Sequence, residues 1–295
     1  MDRKGYIGGS DISAVLGVSR WKTPLQLWAE KTGKVEPADL SDNEAVQLGT
    51  ELEDFVARKF ERMTGMKVRR PPINHYTHPK VEWAKAQVDR LIEGTDELLE
   101  VKTCSAWKLK EWDGESIPQE YICQVFWQLL VTGKSVGWIA VLIGGQKFLY
   151  KKIDADRTFQ EDMLAKAMEF WNMVQNNTPP SAVSGDDDVL LALHPKADDQ
   201  IQAVQEMNDS IRLLQETKGQ IKALEEQKEA IEVKLKECIS DKLGIKTSEY
   251  IVKWTPTPTS RVDVDAMKSA GIYEQYLKKS ESRRLTIKLN KPDGK

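Results

Sequence analysis

Four strand-like runs lie between residues 81 and 153, with one helical run standing between the two pairs. The first pair fills 81–103 around a turn at Glu93-Gly94-Thr95-Asp96. The second pair is apolar, 136–143 and 146–153, joined by Gly144-Gly145, a two-residue hairpin signal. A helix is predicted from Pro118 to Thr132, ended by Gly133. This arrangement predicts a mixed α/β (α+β) domain over the first 180 residues. Three further helices belong to it. Thr23 caps one, with Pro24 at its first position and Gly33 past its end. A longer one runs from about Glu44 to Met63, with Ala45, Leu48, Leu52, Phe55, Val56 and Phe60 on one side. An amphipathic helix from Phe159 to Val174 closes the domain.

The 295 residues suffice for one sizeable core with an appendage, or for two modest domains. Hydrophobic residues make up 40% and charged residues 30%, a globular composition. The longest apolar run, Val136 to Ile143, is far too short for a bilayer span, and Met1 to Gly9 hold no secretory signal. Cys104, Cys123 and Cys238 lie far apart, and His75, His78 and His194 do not complete a ligand spacing with them. A disulfide framework and a structural zinc are therefore not expected, and a reducing cytoplasm fits. With 43 basic against 46 acidic residues, the net charge of −3 leaves any nucleic-acid contact to local patches.

Thr178-Pro179-Pro180 terminates the first domain, here taken as 1–180. Asp186, Asp187, Asp188, Asp198 and Asp199, opposed by Lys196, mark an acidic linker over 181–200. Residues 201–243 read as one long coiled-coil-like helix, with Val204, Met207, Ile211, Leu214, Ile221, Leu224, Ile231, Leu235 and Cys238 on a seam that Lys218 and Lys228 interrupt. Such a seam needs a partner, in this chain or another. The remainder, 244–295, reads as a small basic α/β region: from 246 onward it carries 11 basic against 6 acidic side chains. Tyr250-Val252-Trp254 and Leu285-Ile287-Leu289 alternate like strands around a helix near 263–279.

Asp89 to Lys102 carries the most chemistry. A turn centred between Gly94 and Thr95 sets Asp89 directly opposite Glu100, and Lys102 shares the face of Glu100. Two facing carboxylates repel, and a divalent cation with hard oxygen ligands removes that repulsion. A surface ladder of salt bridges is the other reading of the same residues. Glu53, on the flank of its helix's apolar stripe, is either a third acid of the site or a solvated surface residue. Gly8-Gly9-Ser10 opens a helix, which serves either as an anion cradle or as a plain start capped by Ser10. Trp127 and Trp138 read as core, and His75 and His78 as loop residues. Trp107 and Trp112, beside Lys108 and Lys110, are candidates for a DNA-facing loop. Gln128, one turn after Gln124, is functional or merely polar.

Glu100-Val101-Lys102 with Asp89 upstream resembles the PD-(D/E)xK nuclease motif. Segments in matching order resemble the YqaJ-like viral recombinase family, a lambda-exonuclease-like branch of that superfamily. They are Arg3-Lys4-Gly5-Tyr6-Ile7-Gly8-Gly9-Ser10-Asp11, Gly49-Thr50-Glu51-Leu52-Glu53, Asp89, Glu100-Val101-Lys102 and Tyr121-Ile122-Cys123-Gln124-Val125. The resemblance covers about 3–175 and implies a restriction-endonuclease-like core, a mixed central sheet flanked by helices. It implies that Asp89, Glu100 and the Val101 carbonyl bind Mg²⁺ or Mn²⁺, with Glu53 completing a two-ion site. Lys102 would position and activate water, Gln124 would contact that water or the scissile phosphate, and Arg3 and Ser10 would hold a terminal 5′-phosphate. The implied activity is 5′→3′ degradation of duplex DNA to a 3′ single strand, in phage or prophage recombination within a bacterial cytoplasm. The implied partners are double-stranded DNA, further copies of the chain in a trimeric ring, and a single-strand-annealing protein. Two competing readings are an endonuclease on the same core and a non-catalytic assembly protein working through the 201–240 helix.

Overall fold

A computed structural model describes residues 3–73, 75–198, 200–278 and 282–288. The chain divides into two compact units after Lys196. The first opens with a 3₁₀ turn at Arg3–Gly5, followed by α1 (Gly9–Val15), α2 (Pro24–Lys31) and α3 (Glu44–Thr64). Strands β1 (Val68–Arg69), β2 (Tyr76–His78), β3 (Val81–Ala86), β4 (Arg90–Ile92) and β5 (Glu97–Cys104) come next. A 3₁₀ turn at Ala106–Trp112 leads to α4 (Gln119–Thr132), β6 (Val136–Ile143), β7 (Lys147–Asp154), α5 (Arg157–Gln175) and α6 (Asp187–Leu193). The second unit holds a 3₁₀ turn at Gln205–Met207, α7 (Asn208–Ile239), β8 (Gly244–Lys246), β9 (Ile251–Lys253), α8 (Val264–Ser269) and a 3₁₀ turn at Tyr273–Tyr276.

The central sheet has the order β1-β4-β5-β6-β7. Strands β5 and β6 are parallel, with α4 as the crossover between them, and the other neighbours are antiparallel. Strand alternation then sorts the side chains between two helical layers. Leu98, Ile139 and Val141 pack with Val125 and Leu129 of α4. Leu99, Val101, Ala140 and Leu142 pack with Val56, Ala57 and Phe60 of α3. Each fully buried Leu or Phe in these layers contributes about 1.5–3 kcal/mol of transfer free energy. Position 137 must be glycine, because a Cβ there would lie 2.5 Å from the Val125 Cγ1. A further cluster joins Ile12 of α1, Leu25 and Trp28 of α2, Trp127 of α4, and Met163 and Phe170 of α5. Among the described residues no helix is long and apolar enough to cross a membrane.

The helices predicted in the first 180 residues and the Gly144-Gly145 hairpin form within a residue or two of their expected places, whereas the helix expected near 263–279 is the short α8, Val264–Ser269, followed by the 3₁₀ turn Tyr273–Tyr276. Trp127 is fully buried, and the partly buried Trp138 donates its indole N–H to Glu97 Oε2 at 2.7 Å. Several expectations need correction. The strand expected to run unbroken through 81–92 divides: β3 pairs with β2 and with Ile7, whose carbonyl accepts from Lys85 N–H at 3.0 Å. His78 therefore ends a strand rather than sitting in a loop. The apolar side of α3 is buried at Val56, Ala57 and Phe60, while Leu48 and Phe55 stay exposed. The acidic stretch is not simply a linker. Val189 of α6 enters the first core, and the buried Asp186 accepts from Thr23 Oγ1 at 2.5 Å. The long helix begins at Asn208, leaving Val204 and Met207 outside it. Residues 282–288 form no strand, and Leu289 lies outside the described residues.

Candidate functional site

The turn after β4 sets the site. Gly94 adopts a left-handed φ of 73°, and the hairpin pairs Arg90 with Leu99 and Leu91 with Leu98. One step further along this predicted register, Asp89 lies opposite Glu100. Asp89 sits just past the paired segment and accepts the Val101 N–H on Oδ2 at 2.8 Å. Alternation along β5 turns Glu100 and Lys102 toward α4. There Glu100 is buried, 2% exposed, and every polar contact it makes is a donor. Its Oε1 accepts from Lys102 Nζ at 2.5 Å and from Gln124 Nε2 at 2.6 Å, and its Oε2 accepts from Gln128 Nε2 at 2.5 Å.

Charge is concentrated here. Burial, reinforced by the neighbouring Glu100 carboxylate, holds the Asp89 carboxyl well above the ordinary carboxylate range. Burial alone would lower the Lys102 ammonium, but Glu100 and Asp89 overcome it and raise its pKa. Lys102 is thus a firmly protonated cation, and its Nζ also lies 5.3 Å from the Tyr121 ring centre.

Glu53 and Asp54 of α3 both accept from the guanidinium of Arg90, whose side chain is 4% exposed. Glu53 lines the cleft, but with an arginine already at its carboxylate. At the other end, Arg3 Nη2 donates to Ser10 Oγ at 2.8 Å. This terminal segment is well anchored. Buried Lys31 donates to the Arg3 carbonyl and to Asp11 Oδ2, both at 2.7 Å, and Asp11 Oδ2 also accepts from Gly8 N–H. Gly8, not Ser10, is the N-cap of α1, so the Ser10 hydroxyl is left to Arg3. Gly9 lets α1 seat against α4, since a Cβ there would approach the Gln124 Cγ to 3.2 Å.

One cleft of about 660 Å³ is lined by every residue to which the family resemblance gave a metal, catalytic or phosphate role: Arg3, Ser10, Glu53, Asp89, Glu100, Val101, Lys102 and Gln124. Among the described residues no three His, Cys, Asp or Glu side chains form a ready-made metal cage. The donor chemistry nevertheless suits a hard cation: the Asp89 and Glu100 carboxylates line one cleft with Val101, and burial beside Glu100 raises the Asp89 carboxyl, a cost that a bound cation would offset. Arg90 and the Asp11–Lys31 pair were not foreseen, and Gln128 had been left open. Arg90 follows Asp89 directly, and Gln128 follows Gln124 by four residues, so helical spacing was the available signal for the latter. Of the two loop tryptophans, Trp107 is 95% exposed, whereas Trp112 is buried and stacks on Tyr121.

The YqaJ-like viral recombinase domain model matches residues 1–135. The uncharacterized protein YqaJ of Bacillus subtilis (strain 168) is 36% identical over 297 residues, covering 98% of this chain and 92% of that one. Among solved structures, the alkaline exonuclease LHK-Exo from Laribacter hongkongensis matches with a TM-score of 0.51 and 20% identity, covering 60% of this chain and 91% of that one. Its complex with dAMP matches with the same TM-score at 21% identity, over the same shares of the two chains. At such identities the likeness is one of fold.

Proposed function

The chain belongs to the YqaJ-like viral recombinase domain family, and on that premise we propose that it is a divalent-metal-dependent deoxyribonuclease degrading linear duplex DNA from a 5′ end. The reading rests above all on Glu100, buried and held by Lys102, Gln124 and Gln128, in one cleft with Asp89. Asp89, Glu100 and the Val101 carbonyl would hold Mg²⁺ or Mn²⁺. Glu53, engaged by Arg90, would take part through the outer sphere or a second ion. When bound, such ions lower the pKa of water and offset charge building on the leaving oxygen.

The side chains divide the remaining work. Lys102, kept protonated by its acidic neighbours, orients water and stabilises negative charge on the phosphate instead of removing a proton. Gln124 and Gln128 fix the orientation of the Glu100 carboxylate, one on each oxygen, and Gln124, which also lines the cleft, would meet the scissile phosphate. Arg3, with its side chain 62% exposed, joins Ser10 as a charge-assisted pair for a terminal 5′-phosphate. The fold shared with LHK-Exo, a protein solved with dAMP, agrees with a nucleotide product. A trimeric ring and a single-strand-annealing partner belong to the proposal through the family resemblance alone.

Digestion of end-labelled linear duplex, beside a covalently closed circle, tests this reading. Glu100→Ala and Lys102→Ala should each abolish Mg²⁺-dependent nucleotide release while near-ultraviolet circular dichroism stays native. A 5′-phosphorylated end should be digested faster than a 5′-hydroxyl end, and the closed circle should survive. Undiminished digestion by both variants would remove this active site, and cutting of the circle would replace the exonuclease with an endonuclease.

A further inference from the structure

An aromatic patch lies beside the cleft. Trp107, in the 3₁₀ turn Ala106–Trp112, is 95% exposed, and Trp21 is 60% exposed. A large apolar ring left almost wholly in water gains nothing from the folded core. The turn that carries it is nonetheless rigidly fixed. Trp112 is buried and stacks on Tyr121 with ring centres 5.7 Å apart. Lys151 Nζ donates to the carbonyls of Trp112, Gly114 and Ser116 at 2.9, 2.6 and 2.7 Å. Arg20 Nη1 meets both carboxylate oxygens of Glu111 at 2.8 Å, and its Nε lies 2.9 Å from Glu120.

Arg20 thus pairs with Glu111 and Glu120, and cations lie beside the rings. The Lys108 ammonium lies 5.4 Å from the Trp21 ring centre, and Trp21 lies 6.1 Å from Tyr121. Tyr121 in turn lies 5.3 Å from the Lys102 ammonium. Rings and ammonium groups thus run from the cleft to the surface. Alternating π-faces and cations fit an unpaired strand, whose bases stack while its phosphates meet the ammonium groups. A duplex buries its base faces and offers none.

We propose that Trp107, Trp21 and Lys108 form a stacking site for single-stranded DNA next to the cleft. The proposal rests on the deoxyribonuclease reading and names the part of that substrate which the patch receives, the strand left unpaired as its complement is removed.

The test uses the full chain and a fluorescein-labelled oligo-dT, with anisotropy read in EDTA so that nothing is hydrolysed. Trp107→Ala should weaken binding by roughly 5- to 150-fold, the span of one base–aromatic stack, and Trp107→Phe should restore most of it. The slope of log affinity against log salt should not change in Trp107→Ala, but should fall by about 0.7 in Lys108→Ala, which loses one phosphate contact. Wild-type affinity in Trp107→Ala overturns the site, and if the wild type still digests duplex, the nuclease reading stands alone. Loss of a protein partner with oligo-dT affinity intact also overturns it and makes the patch a protein-docking face. Trp107-dependent binding by a chain that hydrolyses no DNA form retains the site and removes the nuclease reading.

Discussion

Two long helices carry apolar residues at similar spacing, α3 in the first compact unit and α7 in the second, and they fare differently. The C-terminal half of α3 meets β5 and β6, so Val56 and Phe60 are completely buried. In its N-terminal half, Val46, Gly49 and Glu53 line the cleft, and Gly49 lies against Thr103 of β5. On α7, Ile221, Leu224 and Ile231 remain 50–62% exposed, and Ile239 at its end is the buried residue of the helix. Ion pairs follow the same division. Lys31–Asp11 of the first unit is 4% and 7% exposed, whereas Lys228–Glu232 of α7 is 71% and 48% exposed. Equal periodicity therefore has opposite consequences, and what decides is whether the topology supplies a surface to cover the stripe.

The largest consequence falls on the buried pair. Lys31→Ala leaves Asp11 in a dry site with its principal cation gone and frees the Arg3 carbonyl. Breaking such a pair costs about 3 kcal/mol, since the abandoned charge keeps its desolvation penalty. Urea unfolding should show that loss as a lowered midpoint, and a change below about 1 kcal/mol, the scale of an exposed pair, would erase the contrast. Cysteine chemistry sharpens it next. Burial pushes the Cys123 thiol up to about 11, whereas Cys238 on α7 is exposed. Two pH units of displacement cut the thiolate population about a hundredfold at pH 8. Iodoacetamide followed by peptide mass spectrometry should modify Cys238 far ahead of Cys123, and equal rates would show the first core open. The sign also sets a pH dependence. A thiol pKa raised by folding contributes stability that is intact below the unfolded value and is lost as pH climbs toward 11.

Local patterns in the sequence were sufficient wherever a short stretch closes on itself. The Gly94 turn specified the register that sets Asp89 against Glu100, and Thr23, Pro24 and Gly133 marked helix ends through their own backbone preferences. Long-range partners were not legible. That Arg90 serves Glu53 and Asp54 depends on how α3 crosses the sheet, and that Lys31 serves Asp11 depends on α1 meeting α2. The break between β3 and β4 was hidden for a similar reason, since β3 pairs not only with its sequence neighbour β2 but also with Ile7, far away in sequence. Composition could assign Asp186 to a linker only because nothing nearby showed that Thr23 would claim it.

The smallest effect concerns the α7 seam and breaks the comparison most cleanly. Leu224 is 62% exposed, so truncation to alanine removes little buried surface, and alanine is the better helix former. Leu224→Ala should therefore change unfolding free energy by no more than about 0.5 kcal/mol. A leucine in a packed layer, such as Leu98, would instead cost about 2–5 kcal/mol on the same truncation. Melting should be followed over a wide range of protein concentration. A midpoint that rises with concentration in the wild type but not in Leu224→Ala would mean that a second copy covers the seam, because association stabilises the folded state by mass action. The coiled-coil reading of 201–243 would then describe an assembly element, and α3 and α7 would differ only in which chain supplies the covering surface.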